Sequence, residues 1–152
     1  MATLLLTPDE AEAVTAICET LRQEAQWAAL SADQLLNRWE EIVTHVERGY
    51  SWLLAEYTND LGVRDMLEYL LTNVPLSAQV KLLRVLRPLD MRFQQATQAT
   101  AELLDEDEDV GFWWHRVPQR LAPYAEIYDI AWRGWARYYP ATAQPLAPAP
   151  AA

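Results

Sequence analysis

The sequence has little cysteine, glycine or histidine, and each shortage excludes a class of site. One cysteine, Cys18, excludes an intramolecular disulfide. Four glycines and no G-x-x-x-x-G-K, G-x-G-x-x-G or G-x-S-x-G motif exclude the common phosphate-binding loops and the nucleophile elbow. Two histidines, His45 and His115, and no E-x-x-H motif exclude histidine-rich and helical di-iron sites. We therefore predict no catalytic residue, no metal and no cofactor; these absences favour a protein that is not an enzyme and leave an enzyme open as an alternative.

Long apolar runs and basic residues are also scarce. No run approaches the roughly 18 apolar residues of a membrane span, and residues 1–7 lack the basic start of a signal peptide. We therefore expect a cytoplasmic protein that does not bind membranes. The net charge of −10 argues against nucleic acid as a partner. Such a charge keeps a protein soluble, and it also suits a basic protein partner.

What the sequence does contain favours helix, since Ala, Leu, Glu, Gln and Arg dominate it. The most regular stretch is 35–57, where every apolar position of one helix face is filled around Trp39. Ser31 and Gln34 form a capping box before it, and Asn59 and Gly62 offer the end. This pattern predicts a central helix, helix 2, about 35 Å long.

Four other helices are predicted on either side. Helix 1 spans about 8–29, behind a capping box of Thr7 and Glu10, and helix 3 spans about 63–73. Helix 4 begins at Ser77, and its apolar stripe keeps its phase through Pro88 as far as Leu104. This favours one helix kinked at Pro88 over a break at Arg87 and a restart. A last helix begins near Pro123 and ends before Pro140.

The predicted fold is all-α, an antiparallel bundle of four to five helices with a Pro-kinked fourth helix and an aromatic-rich C-terminal segment. Residues 1–140 form a single helical domain in this interpretation. Residues 141–152 alternate proline and alanine and are expected to be a flexible tail. The five consecutive acids at 105–109 are typical of a solvated loop.

The C-terminal segment, residues 112–139, holds nine of the sixteen aromatic residues and four arginines against two acids. One interpretation is that it closes the open side of the bundle as core filler. The other is that it forms a pocket or a dimer contact, because Tyr, Trp and Arg are enriched at interfaces. The candidate binding residues here are Trp113, Trp114, His115, Arg116, Tyr128 and Trp132.

A second group of candidates lies on the predicted polar face of helix 2. At 100° per residue, Trp52 lies about 140° from the centre of the apolar stripe. His45 lies on the same side, with Glu41 and Arg48 close by. Either another part of the chain covers Trp52, or these four residues form an interface or pocket wall. Glu41 and His45 suit an ordinary surface contact better than a metal site, and Cys18 is expected to be a buried small hydrophobe.

Residues 14–18 and 138–140 resemble short pieces of the small acidic helical immunity proteins that block colicin nucleases. The match covers eight residues, and it assigns no role to any of them. Three classes of function remain open. The first is a non-enzymatic inhibitor, immunity-type or regulatory protein that binds a protein partner. The second is a small-molecule binder or enzyme with an aromatic pocket beside the C-terminal segment. The third is a homodimeric assembly component.

Overall fold

A computed structural model describes residues 4–25, 31–100 and 112–139, and these ranges are mostly helical. The all-α class is therefore confirmed. The only strands in the described ranges are two antiparallel strands of two residues each, pairing Thr97 with Pro118 and Gln98 with Val117. In chain order the elements are α1 (Pro8–Ala25), α2 (Ala32–Arg48), α3 (Leu54–Asn73), α4 (Leu76–Ala96), β1 (Thr97–Gln98), β2 (Val117–Pro118) and α5 (Tyr128–Trp135), with short 3-10 turns at Ala125–Ile127 and Ala136–Tyr138.

Contacts along the chain define two compact units. Unit 1 comprises Met1–Glu41 and Gly62–Met91, and unit 2 comprises Ile42–Leu61 and Arg92–Ala152. The predicted antiparallel packing, the kink at Pro88 and the single domain over 1–140 stay predictions. The acidic run 105–109 and the tail 141–152 lie outside the described residues.

Both predicted capping boxes are confirmed. The backbone N–H of Thr7 donates to Glu10 Oε1 at 2.9 Å, and the N–H of Glu10 donates to Thr7 Oγ1 at 3.3 Å. At the start of α2, the N–H of Ser31 donates to Gln34 Oε1 at 2.8 Å, and that of Gln34 to Ser31 Oγ at 3.2 Å. Each pair satisfies two N–H groups that the helix itself leaves without a partner, and so fixes where the helix begins.

The predicted length of helix 2 is wrong, because α2 ends at Arg48 and a new helix begins at Leu54. Gly49 has φ +101°, a left-handed conformation that stops the helix and that glycine adopts without steric cost. Asn59 and Gly62, predicted to stop helix 2, lie inside α3 instead. Helix 3 therefore begins nine residues earlier than the predicted Val63.

The prediction of one continuous fourth helix is confirmed, since α4 contains Pro88 in its interior. The helix begins at Leu76, before the predicted Ser77, and ends at Ala96 rather than near Leu104. Thr97, which follows the helix, is buried and belongs to β1. Its hydroxyl donates to the carbonyl of Phe93 at 2.7 Å, which satisfies a carbonyl at the end of the helix.

The core of unit 1 contains a polar network around Trp39, which is fully buried. Its indole N–H donates to Asp90 Oδ1 at 3.0 Å. Arg64, only 3% exposed, donates to both oxygens of Asp90 at 3.0 Å and to Glu68 Oε2 at 2.9 Å. Burial raises the pKa of Asp90, while the bonds from Arg64 and Trp39 oppose that rise. Buried apolar side chains of the same unit include Leu35, Leu36, Leu67, Leu70, Leu82 and Leu86.

Unit 1 also contains a buried ion pair between α1 and α4. Lys81 Nζ donates to Glu10 Oε1 at 2.6 Å, and the Glu10 side chain is 7% exposed. The same oxygen thus serves both the capping box and the ion pair. No helix within the described ranges is both long enough and apolar enough to cross a membrane.

Candidate functional site

The candidate site lies in unit 2, where the connection between α2 and α3 pairs with the C-terminal segment. The N–H of Tyr50 donates to the carbonyl of Arg120 at 3.0 Å, and the N–H of Ala122 donates to the carbonyl of Tyr50 at 2.9 Å. The N–H of Tyr124 donates to the carbonyl of Ser51 at 3.3 Å. These hydrogen bonds hold two irregular segments of backbone against each other, although the segments are far apart in the sequence.

Gly49 allows this pairing. A Cβ atom on Gly49 would lie 3.0 Å from the Cβ of Ala122, which is closer than nearly all real contacts of a Cβ atom. Two features therefore favour glycine at this position: the positive φ and the close approach of the C-terminal segment.

Three fully buried aromatic side chains, Tyr50, Tyr57 and Trp135, lie beneath this pairing. Their ring centroids are 5.0 to 6.0 Å apart with steep interplanar angles, the edge-to-face geometry that aromatic pairs favour. The burial of Trp135 agrees with the interpretation of core filler at this one position of the C-terminal segment. Burial of the polar tips is compensated, because each donates a hydrogen bond: Tyr50 to Asp60 at 2.7 Å, Tyr57 to the carbonyl of Arg116, and Trp135 to the carbonyl of Trp52 at 3.1 Å.

The buried phenols are not candidates for acid–base chemistry. Burial raises the pKa of Tyr50, and the neighbouring Asp60 carboxylate raises it further. Burial likewise raises the pKa of Tyr57 and of Tyr139. These hydroxyls therefore stay protonated and act as hydrogen-bond donors at neutral pH.

His45 and Ser51 lie as close together as a catalytic base and its nucleophile. Their hydrogen bonds, however, hold the backbone of the turn. His45 Nε2 lies 2.6 Å from Ser51 Oγ, and the backbone N–H of Ser51 donates to the same nitrogen at 3.1 Å. Nε2 is therefore an acceptor already engaged by a backbone donor, and Ser51 is 6% exposed. A general base needs that lone pair for the proton it removes. His45, stacked on Tyr50 at 4.4 Å, holds the turn after α2.

Above the buried cluster, Trp52 and Tyr124 form a pair of exposed aromatic rings. Their centroids are 5.1 Å apart in edge-to-face contact, and the side chains are 45% and 48% exposed. The carbonyl of Trp52 accepts the hydrogen bond from Trp135, and the N–H of Tyr124 is bonded to Ser51. The backbone of both residues is thus fixed while the rings remain in solvent.

A second aromatic group lies at the start of the C-terminal segment. Trp114 is 2% exposed, and its ring stacks on Phe112 at 4.5 Å. It also meets the rings of Trp113 and His115, at 5.7 and 5.9 Å. Phe112 and Trp113 keep 41% and 37% of their surface exposed. Trp113, Trp114 and His115 thus lie in mutual ring contact, with Trp114 buried as filler, and their role in binding stays a prediction.

The remaining predicted residues of the segment have structural contacts. Arg116 donates to the hydroxyl and the carbonyl of Thr97 at 2.9 and 3.1 Å, which ties β2 to the end of α4. Tyr128 and Trp132 lie one turn apart on α5 and are half-buried. The Trp132 ring lies 6.3 Å from that of Tyr139.

The predicted polar-face group of Glu41, His45, Arg48 and Trp52 is not formed on one helix. The helix ends at Arg48, so Trp52 belongs to the following turn and meets Tyr124 of the C-terminal segment. Glu41 is exposed and pairs with Arg38 at 3.2 Å in unit 1, and Arg48 is exposed at the end of α2. Within the described ranges, no three potential metal ligands lie together.

Cavities among the described residues include one in each unit. One, of about 240 Å³ in unit 1, is lined by Val14, Cys18, Ala32 and their neighbours. Cys18 is half-buried there rather than fully buried, and burial raises the pKa of its thiol, which lowers its reactivity. The other, of about 250 Å³ in unit 2, is polar and is lined by residues that include Arg92, Gln119 and Arg120.

Sequence reasoning missed Tyr124 and Ser51. Helical spacing places Tyr124 on the inner face of the last helix, yet it precedes the 3-10 turn that leads into α5 and points outward. Pro123 gave no warning, because a proline is common in the first turn of a helix and it restricts the residue before it, Ala122, rather than Tyr124. Ser51 carried no signal in the sequence, because its contact with His45 depends on the turn that begins at Gly49.

Comparisons with protein-family models, with curated proteins and with solved structures find no match to this chain.

Proposed function

We propose that this chain is a non-enzymatic protein-interaction protein, and that the exposed pair Trp52–Tyr124 is the centre of its contact surface. One observation carries the proposal: two large aromatic side chains, 45% and 48% exposed, stand on backbone that hydrogen bonds hold in place. Aromatic residues in such positions are typical hot spots of interfaces. They lose little conformational entropy on binding, because the protein has already ordered them.

The partner in this proposal is a protein with a basic surface. The chain carries a formal charge of −10, which attracts a basic partner and speeds its approach. The charge acts over the Debye length of about 8–10 Å, while the aromatic pair acts on contact. A cytoplasmic location and an antiparallel bundle as the scaffold belong to the same proposal.

The test begins with capture of the partner from the cells that make this protein, followed by binding kinetics with the purified partner. Trp52→Ala and Tyr124→Ala remove the two rings, and Trp52→Ala keeps the carbonyl that Trp135 needs. We expect each to weaken binding by about 30-fold or more, mainly through faster dissociation. Circular dichroism melts establish that each variant is folded.

Tyr69→Ala is the matched control, because Tyr69 is another exposed ring, 37% exposed, on α3. It should change the affinity by less than about 3-fold. Raising the salt concentration should slow association in all variants alike. If the partner binds Trp52→Ala and wild type equally well, this surface is not the interface. If Trp52→Ala converts a dimer of the chain into monomers in sedimentation runs, the partner is a second copy of the chain.

A further inference from the structure

The outward face of α4 differs in charge from the rest of the molecule. This helix carries four basic residues and one acid, in a chain whose formal charge is −10. Two of those bases, Arg84 and Arg87, are exposed. Within the described ranges, neither forms an ion pair or a side-chain hydrogen bond, although Arg64, Lys81 and Arg92 of the same protein all have acidic partners.

The same face exposes apolar side chains. Leu76 is 73% exposed, Val80 43% and Met91 59%, and all three belong to unit 1 together with the two arginines. Along the helix the order is Leu76, Val80, Arg84, Arg87 and Met91, at intervals of four, four, three and four residues. Such intervals keep side chains on one face of a helix and match the seam of a two-helix contact. The seam is about 22 Å long at 1.5 Å per residue.

We propose that this face of α4 binds an acidic amphipathic helix of another protein. The apolar ends of the seam bury against the partner, and the two central arginines meet its carboxylates. Arginine suits this role, because its planar guanidinium can hold a carboxylate through two parallel hydrogen bonds. The inference uses different residues from the Trp52–Tyr124 surface and a partner of the opposite charge, so it stands independently of the proposed function.

Charge argues against a second copy of the chain as the occupant. A symmetric dimer through this face sets the seam against itself, with the two copies of α4 either antiparallel or parallel. The centre of the contact then holds Arg84 and Arg87 of both copies, with no acid of the same seam to neutralise them. Like charges placed together at an interface are strongly disfavoured.

Charge also argues against an anionic membrane surface. Lipid-binding patches usually cluster four to eight basic residues, and this seam has two. A formal charge of −10 repels an anionic bilayer as the molecule approaches it. A single acidic helix carries far fewer charges than a bilayer surface, so the same repulsion is weaker for it.

The experiment uses three labelled helical peptides of about 20 residues, the length that spans the seam with one turn to spare. All carry Leu at the outer seam positions, and the two central positions are Glu, Gln or Lys. Fluorescence anisotropy measures binding to the full chain at two salt concentrations. We expect the Glu peptide to bind at least about 10-fold more tightly than the Gln peptide, with the difference shrinking at high salt.

Charge reversal gives the decisive comparison. The double variant Arg84→Glu, Arg87→Glu should bind the Glu peptide about 10-fold or more weakly than wild type does. It should bind the Lys peptide more tightly than wild type does. Arg120→Glu with Arg133→Glu is the control, because it makes the same change in net charge at two other exposed arginines. Val80→Ser should weaken all three peptides, since it removes apolar contact. Val80 is exposed, so its loss leaves the core intact.

Three results would overturn the proposal: equal binding of the Glu and Gln peptides, no effect of the double reversal at Arg84 and Arg87, or an equal effect of the control reversal. Binding of the protein to phosphatidylserine vesicles without binding of the Glu peptide would replace the acidic helix with a membrane. If the double reversal unfolds the chain, Arg84→Gln and Arg87→Gln singly test the same contacts. Each should then lower the preference for the Glu peptide by about 3-fold.

Discussion

Asp90 is a residue whose loss should cost several kcal/mol of stability. It is the acceptor for both Trp39 and the buried guanidinium of Arg64. Asp90→Ala leaves that guanidinium, only 3% exposed, with Glu68 as its remaining acidic partner in this network. We expect the free energy of unfolding to fall by about 3–5 kcal/mol, as it does when one member of a buried ion pair is removed. Urea unfolding monitored by circular dichroism measures the change.

The control for this prediction is an ion pair in solvent. Arg38 and Glu41 lie 3.2 Å apart with side chains 49% and 68% exposed. Arg38→Ala should therefore change the free energy of unfolding by less than about 1 kcal/mol. Equal losses in the two variants would show that the network around Trp39 is no stronger than a surface pair.

Glu10 should make stability depend on pH. The hydrogen bond from Lys81, and then that from the backbone of Thr7, lowers the pKa of Glu10 from 4.5 to about 2. A carboxyl with a lowered pKa in the folded state adds stability at a pH above 4.5, and this stability is lost as the pH falls from 4.5 towards 2. At about pH 6 the melting temperature of wild type should therefore be higher than that of Glu10→Gln. The difference between the two melting temperatures should disappear near pH 2.

The control variant is Glu12→Gln, which neutralises an exposed acid of the same helix. Thermal melts of the three proteins, at several pH values from about 6 down to about 2, follow the effect. A gap between wild type and Glu10→Gln that stays constant over this range would mean that the ion pair with Lys81 is not formed in solution.

At the scale of elements, the end of α2 depends on Gly49. Gly49→Ala places a Cβ at a φ of +101° and 3.0 Å from the Cβ of Ala122. We expect a loss of about 1–3 kcal/mol from the strained backbone, with a further cost if the C-terminal segment shifts. Chemical denaturation, followed by the fluorescence of the tryptophans, reports the loss.

Gly134 offers the matched substitution. It lies in α5, and a Cβ there would be 3.7 Å from the Cβ of Leu54, an ordinary contact. Gly134→Ala should leave stability unchanged or raise it by up to about 1 kcal/mol, because alanine favours helix over glycine. A larger loss at Gly134 than at Gly49 would contradict the role assigned to the turn after α2.

The starts of α1 and α2 could be predicted from the sequence, whereas the end of α2 and the start of α3 could not. Thr7 with Glu10 and Ser31 with Gln34 act through neighbours three residues away, so the local sequence holds all the information. The end of α2 at Gly49 depends on Ala122 and Arg120, which are distant in the sequence. The apolar stripe runs on through this break because Tyr50 and Tyr57 are both buried against Trp135, one in the turn and the other in α3.

The candidate site could be predicted only in part, because some of its contacts join residues that are distant in the sequence. The sequence singles out Trp52 because an aromatic on a polar face needs an explanation, and the structure places a ring of the C-terminal segment against it. Its partner Tyr124 could not be identified from periodicity, since the pairing comes from backbone bonds between irregular segments. Hydrophobic periodicity identifies the buried faces of helices and strands, and it carries no information about the conformation of turns.

For the whole molecule, the formal charge of −10 is the main electrostatic property, and the repulsion among the acids should show as a salt effect. Raising NaCl from about 10 to about 150 mM should raise the melting temperature by about 2–4 °C, the shift that roughly 1 kcal/mol gives a chain of this size. The double reversal at Arg84 and Arg87 adds negative charge and should enlarge the shift. A melting temperature that falls with salt would mean that attractive ion pairs outweigh the repulsion.

The division of unit 2 between Ile42–Leu61 and Arg92–Ala152 has a consequence during synthesis on the ribosome. Tyr50 and Tyr57 emerge long before Trp135, the ring that meets both of them in the finished protein. At about 5–20 residues per second, the roughly 85 residues from Tyr50 to Trp135 take about 4 to 17 seconds to translate. Throughout that interval two large aromatic side chains lack their final neighbour. The nascent chain is therefore most exposed to wrong contacts just before its last helix is made, and a ribosome stalled before Trp135 would display them to chaperones and proteases.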